Sequence, residues 1–287
     1  MLVLCYSNEK NNIGLVNYER SLKKHHIKYK VVGIGDPWIN FSQIGKTCYE
    51  ELCSEAYSED DIVCVTDAFD VLVTCSEEEI MEKYSSSSDL KIWVGTEPTH
   101  GPGFYLERWW KLHEKTPLTT TQCRYLNSGC YMGPVRLLKH LLSFLMNFSD
   151  DQFGMCVYAE TYPNNVELDT NQQLCGNITG WEIAEYSVGS GERVTHTNGS
   201  TPCFIHIPGT LGDFNMRMDY FGKHVLKEDY IPLTIVEVME KWWKKARAKK
   251  IYTISLIFLG LVALKFPRAV AVMGVIIFSI YVFILRS

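Results

Sequence analysis

A chain of 287 residues, 46% hydrophobic and 21% charged, is long enough to bury one substantial core and lies outside the compositions of disordered chains. Its net charge of −5 is unevenly spread: nine Lys or Arg and no acid lie from Lys241 onward, so the first 240 residues carry −14. Such an acidic head argues against nucleic acid as a partner, since phosphate backbones are held by clustered cations.

The apolar run Leu2 to Tyr6 predicts a first strand. Gly14 to His26, with Leu15, Tyr18 and Leu22 on one face, predicts an amphipathic helix. A strand over Tyr29 to Ile34, a helix over Gln43 to Tyr57, a strand over Ile62 to Val65, a helix over Ser76 to Tyr84 and a strand over Lys91 to Gly95 follow. Strands alternating with helices imply an α/β domain with a mainly parallel sheet covered on both faces. Pro98, Gly101, Pro102 and Gly103 mark a loop, and Leu126 to Met132 reads as a short extended piece. Helices are expected over Val135 to Phe148 and Asp150 to Tyr162. A Gly- and Ser-rich stretch (Ser187 to Ser200), a strand at Cys203 to Ile207 and a closing helix at Met216 to Val225 complete the head. The division expected is a domain over 1–228, a basic juxtamembrane helix over 229–250 and membrane segments over 251–286.

The ten cysteines have no Cys-x-x-Cys pair and no zinc-like spacing, so most read as buried thiols of a chain that faces the cell interior. The first residues lack a basic region followed by a long apolar one, so a strand is expected there and not a signal peptide. Beyond the basic block Lys241 to Lys250, Ile251 to Leu264 gives about 21 Å of helix and Ala269 to Leu285 about 25 Å, against a hydrocarbon core of about 30 Å. Two arrangements fit: a helical hairpin turning at Lys265 to Arg268, or one span preceded by an interfacial helix. Either makes membrane lipid a partner. The positive-inside rule places the basic block and the head in the cytoplasm.

Asp67 and Asp70 follow directly on the apolar Ile62 to Val65, so both carboxylates are expected beyond the end of a buried strand, where α/β proteins hold ligands. Their hard oxygens suit a divalent cation that also takes phosphate oxygens, and a sugar nucleotide is the guest that fits. The structural alternative is a helix cap or a turn. Asp150-Asp151-Gln152 opens a predicted helix. It reads either as an N-cap or as a carboxylate pair acting on a sugar donor or an acceptor hydroxyl. Leu126-Asn127-Ser128-Gly129 reads as a polar turn able to bind sugar hydroxyls. His206, at the end of a strand before Pro208-Gly209, is either a satisfied structural group or a third ligand beside the two carboxylates.

These motifs, in this order, resemble the glycosyltransferase domain of the procollagen lysyl hydroxylases from Leu2 to about Val225. The matching segments are Gly33-Ile34-Gly35-Asp36-Pro37-Trp38, Thr66-Asp67-Ala68-Phe69-Asp70-Val71, Leu126 to Gly129, Asp150 to Gln152, and Pro202 to Gly209 followed by Asp219-Tyr220-Phe221-Gly222. The resemblance implies a GT-A fold, a Mn2+ or Mg2+ ion and a UDP-sugar donor. It implies Asp67, Asp70 and His206 as metal ligands. Leu4, Tyr6, Trp38, Lys46, Phe69 and Gly209 would lie around the nucleotide, Asn127, Ser128 and Gln152 around the sugars, and Asp150 and Asp151 at the reacting centre. The implied activity moves a hexose of glucose or galactose type to a hydroxyl on a protein or glycan. His206-Ile207-Pro208-Gly209 departs from the family's HGNG, and the lysine that follows it in the family is missing. That departure motivates a second reading, a membrane-held sugar-nucleotide binding module with weakened catalysis. A phosphatase with an aspartyl nucleophile is disfavoured, since its DxD spacing is not that of Asp67 and Asp70. Trp109 and Trp110 are candidates for stacking on an acceptor sugar.

Overall fold

The computed structural model describes residues 1–232 except 55, 87–89, 99–122, 124, 179–180, 190–191 and 209–212, and of 181–182 and 213–216 the backbone only. The chain divides into two units, Met1–Pro232 and Leu233–Ser287. The predicted membrane tail, the basic block, Trp109 and Trp110 all lie outside the described residues. Among those described, no helix is long and apolar enough to cross a membrane.

The elements run β1 (Leu2–Tyr6), α1 (Ile13–Lys24), β2 (Tyr29–Val32), α2 (Ser42–Leu52), β3 (Ile62–Thr66), β4 (Val71–Val73), α3 (Glu77–Ser85), β5 (Ile92–Glu97) and β6 (Tyr125–Pro134). They continue with α4 (Val135–Leu145), α5 (Asp151–Thr161), β7 (Val166–Asp169), β8 (Cys175–Asn177), β9 (Tyr186–Val188), β10 (Val194–His196), β11 (Phe204–His206) and α6 (Asp213–Val225). The main sheet has the order β2-β1-β3-β6-β5-β8-β11-β4, with β7 pairing β5 off this path, and β9-β10 form a separate hairpin.

The class is α/β as expected and the sheet is mixed, with parallel pairing for β1–β2, β1–β3, β5–β7, β5–β8 and β8–β11. β6 runs antiparallel to both β3 and β5, and β4 antiparallel to β11. β6 thus stands as a reversed strand near the centre of the sheet and runs directly into α4 at Pro134–Val135. The sheet must also curl. β3 and β4 stand third and eighth in the order, about 24 Å apart if flat at 4.8 Å per strand, yet the link Asp67 to Asp70 spans at most about 18 Å. Curling brings the end of β11 under the loop after β3.

One face of the sheet is covered by α2, α4 and α5. Leu138, Leu141, Leu142 and Leu145 of α4 follow the helical period and are buried against Leu4, Val63 and Val65, each worth about 1.5–3 kcal/mol. The opposite face packs Leu15, Tyr18 and Leu22 of α1 and Ile80 and Tyr84 of α3 against Val3, Cys64 and Phe204. Helix starts are capped by side chains: the Asn12 carboxamide accepts from the Gly14 N–H, and the Ser76 hydroxyl from the Glu79 N–H.

Candidate functional site

Asp67 and Asp70 sit in the link from β3 to β4, and His206 ends β11. Register fixes their meeting: His206 stands opposite Val71, and the Ile207 N–H donates to the Asp70 carbonyl at 2.8 Å. A ligand atom from each of the three side chains lies within 4.8 Å of the other two. Nε2 of His206 is 3.3 Å from Oδ2 of Asp67 and 3.6 Å from Oδ2 of Asp70, long for charge-assisted hydrogen bonds. Nε2 is buried and has no aligned partner.

A buried, orphaned imidazole nitrogen facing two carboxylates fits a divalent cation such as Mn2+ or Mg2+. Without a cation, burial alone would lower the His206 pKa, but the charges of Asp70 and Asp67 raise it well above the usual histidine value. Burial pushes Asp70 above the usual carboxylate range, with His206 opposing. Both shifts express a site built around positive charge.

Gly129 shapes this centre. A Cβ on it would stand 2.0 Å from Cε1 and 2.5 Å from Nδ1 of His206, so the ring packs directly on its backbone. Its carbonyl also accepts from the Asp67 N–H at 2.9 Å. The segment Leu126 to Gly129 is therefore not the turn that its composition suggested. It lies within β6, where the register against β5 shifts between Val94 and Thr96: Val94 pairs Tyr131 and Thr96 pairs Leu126. The bulge re-aims the side chains while the strand continues.

A second polar group lies on this bulge and the start of α5. Asp150 caps α5, accepting from the Phe153 N–H at 2.8 Å, so the capping alternative describes its contact here. Burial, with the nearby charges of Asp67 and Asp150, pushes Asp151 up to about 7. Gln152 donates from Nε2 to Glu97 Oε1 at 3.1 Å and accepts from the Ser128 N–H at 3.4 Å. Asn127 donates to Glu97 Oε2 at 3.3 Å and accepts from the Gly129 N–H at 2.9 Å.

Glu97, at the end of β5 and only 3% exposed, thus anchors both amides. The sequence reading missed it, although an acid closing a hydrophobic strand was the signal used for Asp67. Glu97→Gln would set an amide donor against amide donors. We expect a loss of about 1–3 kcal/mol in chemical denaturation, the cost of leaving buried polar groups unmatched.

The remaining predicted residues fall elsewhere. The Tyr6 and Trp38 rings meet at a tilt of 48° with centroids 6.1 Å apart and Trp38 meets Phe41 edge-on at 5.3 Å, with Trp38 exposed and the Tyr6 hydroxyl buried without a partner. Phe69 packs against the α1 side of the core. Leu4 is fully buried in that core's other face, so its side chain offers a ligand no surface. Lys46 stands on the exposed face of α2, 3.9 Å from Glu50. Gly209 lies outside the described residues.

Cys75, Glu79 and Cys203 form a second convergent group. There Arg193 grips both oxygens of Glu79 and Lys83 approaches at 2.8 Å, and the two hold the Glu79 carboxyl down to about 2. Two cations already neutralise that carboxylate, so the cluster is an ion-pair network.

The PLOD GT domain matches residues 1–230, and the chain belongs to this family of glycosyltransferase domains. Among its relatives, procollagen-lysine,2-oxoglutarate 5-dioxygenase 2 of Mus musculus is 24% identical over 233 residues, covering 75% of this chain and 30% of that protein. The multifunctional procollagen lysine hydroxylase and glycosyltransferase LH3 of Homo sapiens is 22% identical over 230 residues, covering 74% and 30%. The chain thus spans about a third of the length of these relatives. The crystal structure of the galactosyltransferase LgtC with donor and acceptor sugar analogues aligns at a TM-score of 0.43 and 15% identity, over 78% of this chain and 96% of that one.

Proposed function

We propose that the head is a metal-dependent GT-A glycosyltransferase that moves a hexose of glucose or galactose type from a UDP-sugar to a hydroxyl on a protein or glycan. The observation that carries this reading is the convergence of Asp67, Asp70 and the orphaned Nε2 of His206 in a chain of this family. Asp67, Asp70 and His206 would hold Mn2+ or Mg2+. When bound, the ion supplies Lewis-acid neutralisation of charge on the departing diphosphate. Trp38, exposed beside the buried Tyr6 ring, offers an aromatic face to a base. Asn127, Ser128 and Gln152, set by Glu97, orient sugar hydroxyls. Asp151 accepts the proton of the acceptor hydroxyl as its oxygen bonds to the anomeric carbon and the bond to the diphosphate breaks. The test is turnover of UDP-glucose and UDP-galactose by the full chain with Mn2+; no binding of either donor would sink the reading.

A pH dependence follows from Asp151. Its carboxyl is neutral below about pH 7 and ionised above, so turnover should rise through a limb near that pH, or below it once a cation offsets the charge of Asp67. Asp151→Asn should lower the rate and erase the limb. Because the folded pKa lies above the ordinary carboxylate value of 3.8, the metal-free fold binds the proton more tightly than the unfolded chain. Stability from this group is full below about pH 4 and is lost as the pH rises through about 7. Denaturation at several pH values checks that slope.

A second reading, a sugar-nucleotide binding module with weak catalysis, is favoured by one observation. Ile207, which replaces the first glycine of the family's HGNG, is fully buried in the core formed with Leu72 and Phe221, so the chain after His206 is committed to packing. Mn2+-dependent donor binding without turnover would establish it.

We further propose that residues 241–285 hold the head at a membrane with the head on the cytoplasmic side, from their basic and apolar composition. The full chain should sediment with membranes after carbonate extraction, with a head open to added protease. A chain that washes off would overturn the anchor.

A further inference from the structure

His206 is held by a partner that the reaction scheme does not use. Asn177, the last residue of β8, stands beside His206 in the parallel β8–β11 register and is fully buried. Its Oδ1 lies 2.6 Å from Nδ1 of His206. Its Nδ2 donates to the Thr96 carbonyl at 2.8 Å, which fixes the orientation of the amide, since a flipped group would set oxygen against oxygen. The Cys175 thiol supplies a second donor to Oδ1 at 3.7 Å. An oxygen so placed can only accept, so Nδ1 of His206 must carry a hydrogen. The neutral ring then presents a lone pair at Nε2, the atom that faces Asp67 and Asp70.

The surroundings are cut to this pair. Gly129 leaves room for the ring, and a Cβ on Gly95 would come within 3.0 Å of Nδ2 of Asn177. The Ile178 N–H, next along the chain, donates to the His206 carbonyl at 2.9 Å and ties the two strand ends together.

We infer that Asn177 is a positioning residue for the cation site: by accepting the Nδ1–H of His206 it selects the tautomer and ring orientation that make Nε2 a ligand. This rests on the metal reading above, and goes beyond it by assigning a role outside the ligands. Partners that hold a ligating imidazole by its second nitrogen change metal affinity by about 10–100-fold when removed.

The test is Mn2+ titration of the full chain, wild type and variants, followed by the EPR signal of free Mn2+, with melting temperatures recorded in chelator. Asn177→Leu removes the acceptor and should weaken Mn2+ by about 10–100-fold. Asn177→Asp keeps an acceptor facing Nδ1 and should bind within a few-fold of wild type. A purely structural role would lower the melting temperature of both variants and leave Mn2+ affinity unchanged, which would overturn the inference. Equal loss in both variants would overturn it as well. Should the variants fail to fold, 15N correlation spectra of the wild type loaded with diamagnetic Cd2+ decide. Hydrogen on Nδ1 of His206 is expected, and hydrogen on Nε2 overturns the assignment. A wild type that binds no Mn2+ at all removes the metal reading itself, an outcome distinct from variants that bind as well as a competent wild type.

Discussion

Asp70→Asn is expected to lower sugar-nucleotide turnover by at least about 100-fold while leaving the fold in place. The side chain is one of three converging on the site, and removing a single preorganised electrostatic group at a reacting centre costs about 10²–10³ in rate. Asparagine keeps the shape and one oxygen but removes the charge, which a hard divalent ion needs most. The backbone role of this residue survives, because the carbonyl that accepts from the Ile207 N–H and joins β4 to β11 is untouched. Stability without metal should therefore be nearly retained: burial already raises the Asp70 pKa, and Asp67 is a like charge beside it. Initial rates over a range of Mn2+ concentrations check this, with a higher Mn2+ requirement expected alongside the lower maximum. Undiminished turnover that saturates at the wild-type Mn2+ concentration would remove Asp70 from the site.

The parts of this fold legible in the sequence are those where one local period decides the matter. Leu2 to Tyr6, Ile62 to Thr66 and the helix that buries Leu15, Tyr18 and Leu22 were each expected within a few residues of their observed bounds. The direction of β6 was not legible, because no feature of Tyr125 to Pro134 says which neighbour it meets or in which sense. β8 is three residues with a glycine at its centre, and β9 and β10 lie around a Gly- and Ser-rich stretch, so neither shows an apolar period. In the site, Asp67, Asp70 and His206 could be picked out because each ends an apolar run. Glu97 and Asn177 act through partners on other elements, Asn127, Gln152, Thr96 and His206, that lie from 29 to 81 residues away along the chain. Their meaning exists only once the sheet has closed.

Gly129→Ala tests that closure at one atom. The new methyl would stand 2.0, 2.5 and 2.7 Å from Cε1, Nδ1 and Nε2 of His206, closer than real Cβ contacts ever are. The ring cannot yield sideways without leaving Asn177, and Asn177 cannot follow because Thr96 holds its amide. Overpacking of this kind costs about 1–3 kcal/mol, and a domain of this size loses about 2–4 °C of melting temperature per kcal/mol. Displacing Nε2 should also weaken Mn2+ by at least the 10–100-fold seen when a ligating histidine loses its support. Both losses trace to one clash, which a double-mutant cycle can isolate. In a His206→Ala background the methyl meets empty space, so adding Gly129→Ala should cost far less stability than it does in the wild type. If it costs the same in both, the strain lies in the β6 backbone and not against the ring. If Mn2+ affinity is unchanged in Gly129→Ala, His206 is not a ligand, and the two aspartates hold the ion without it.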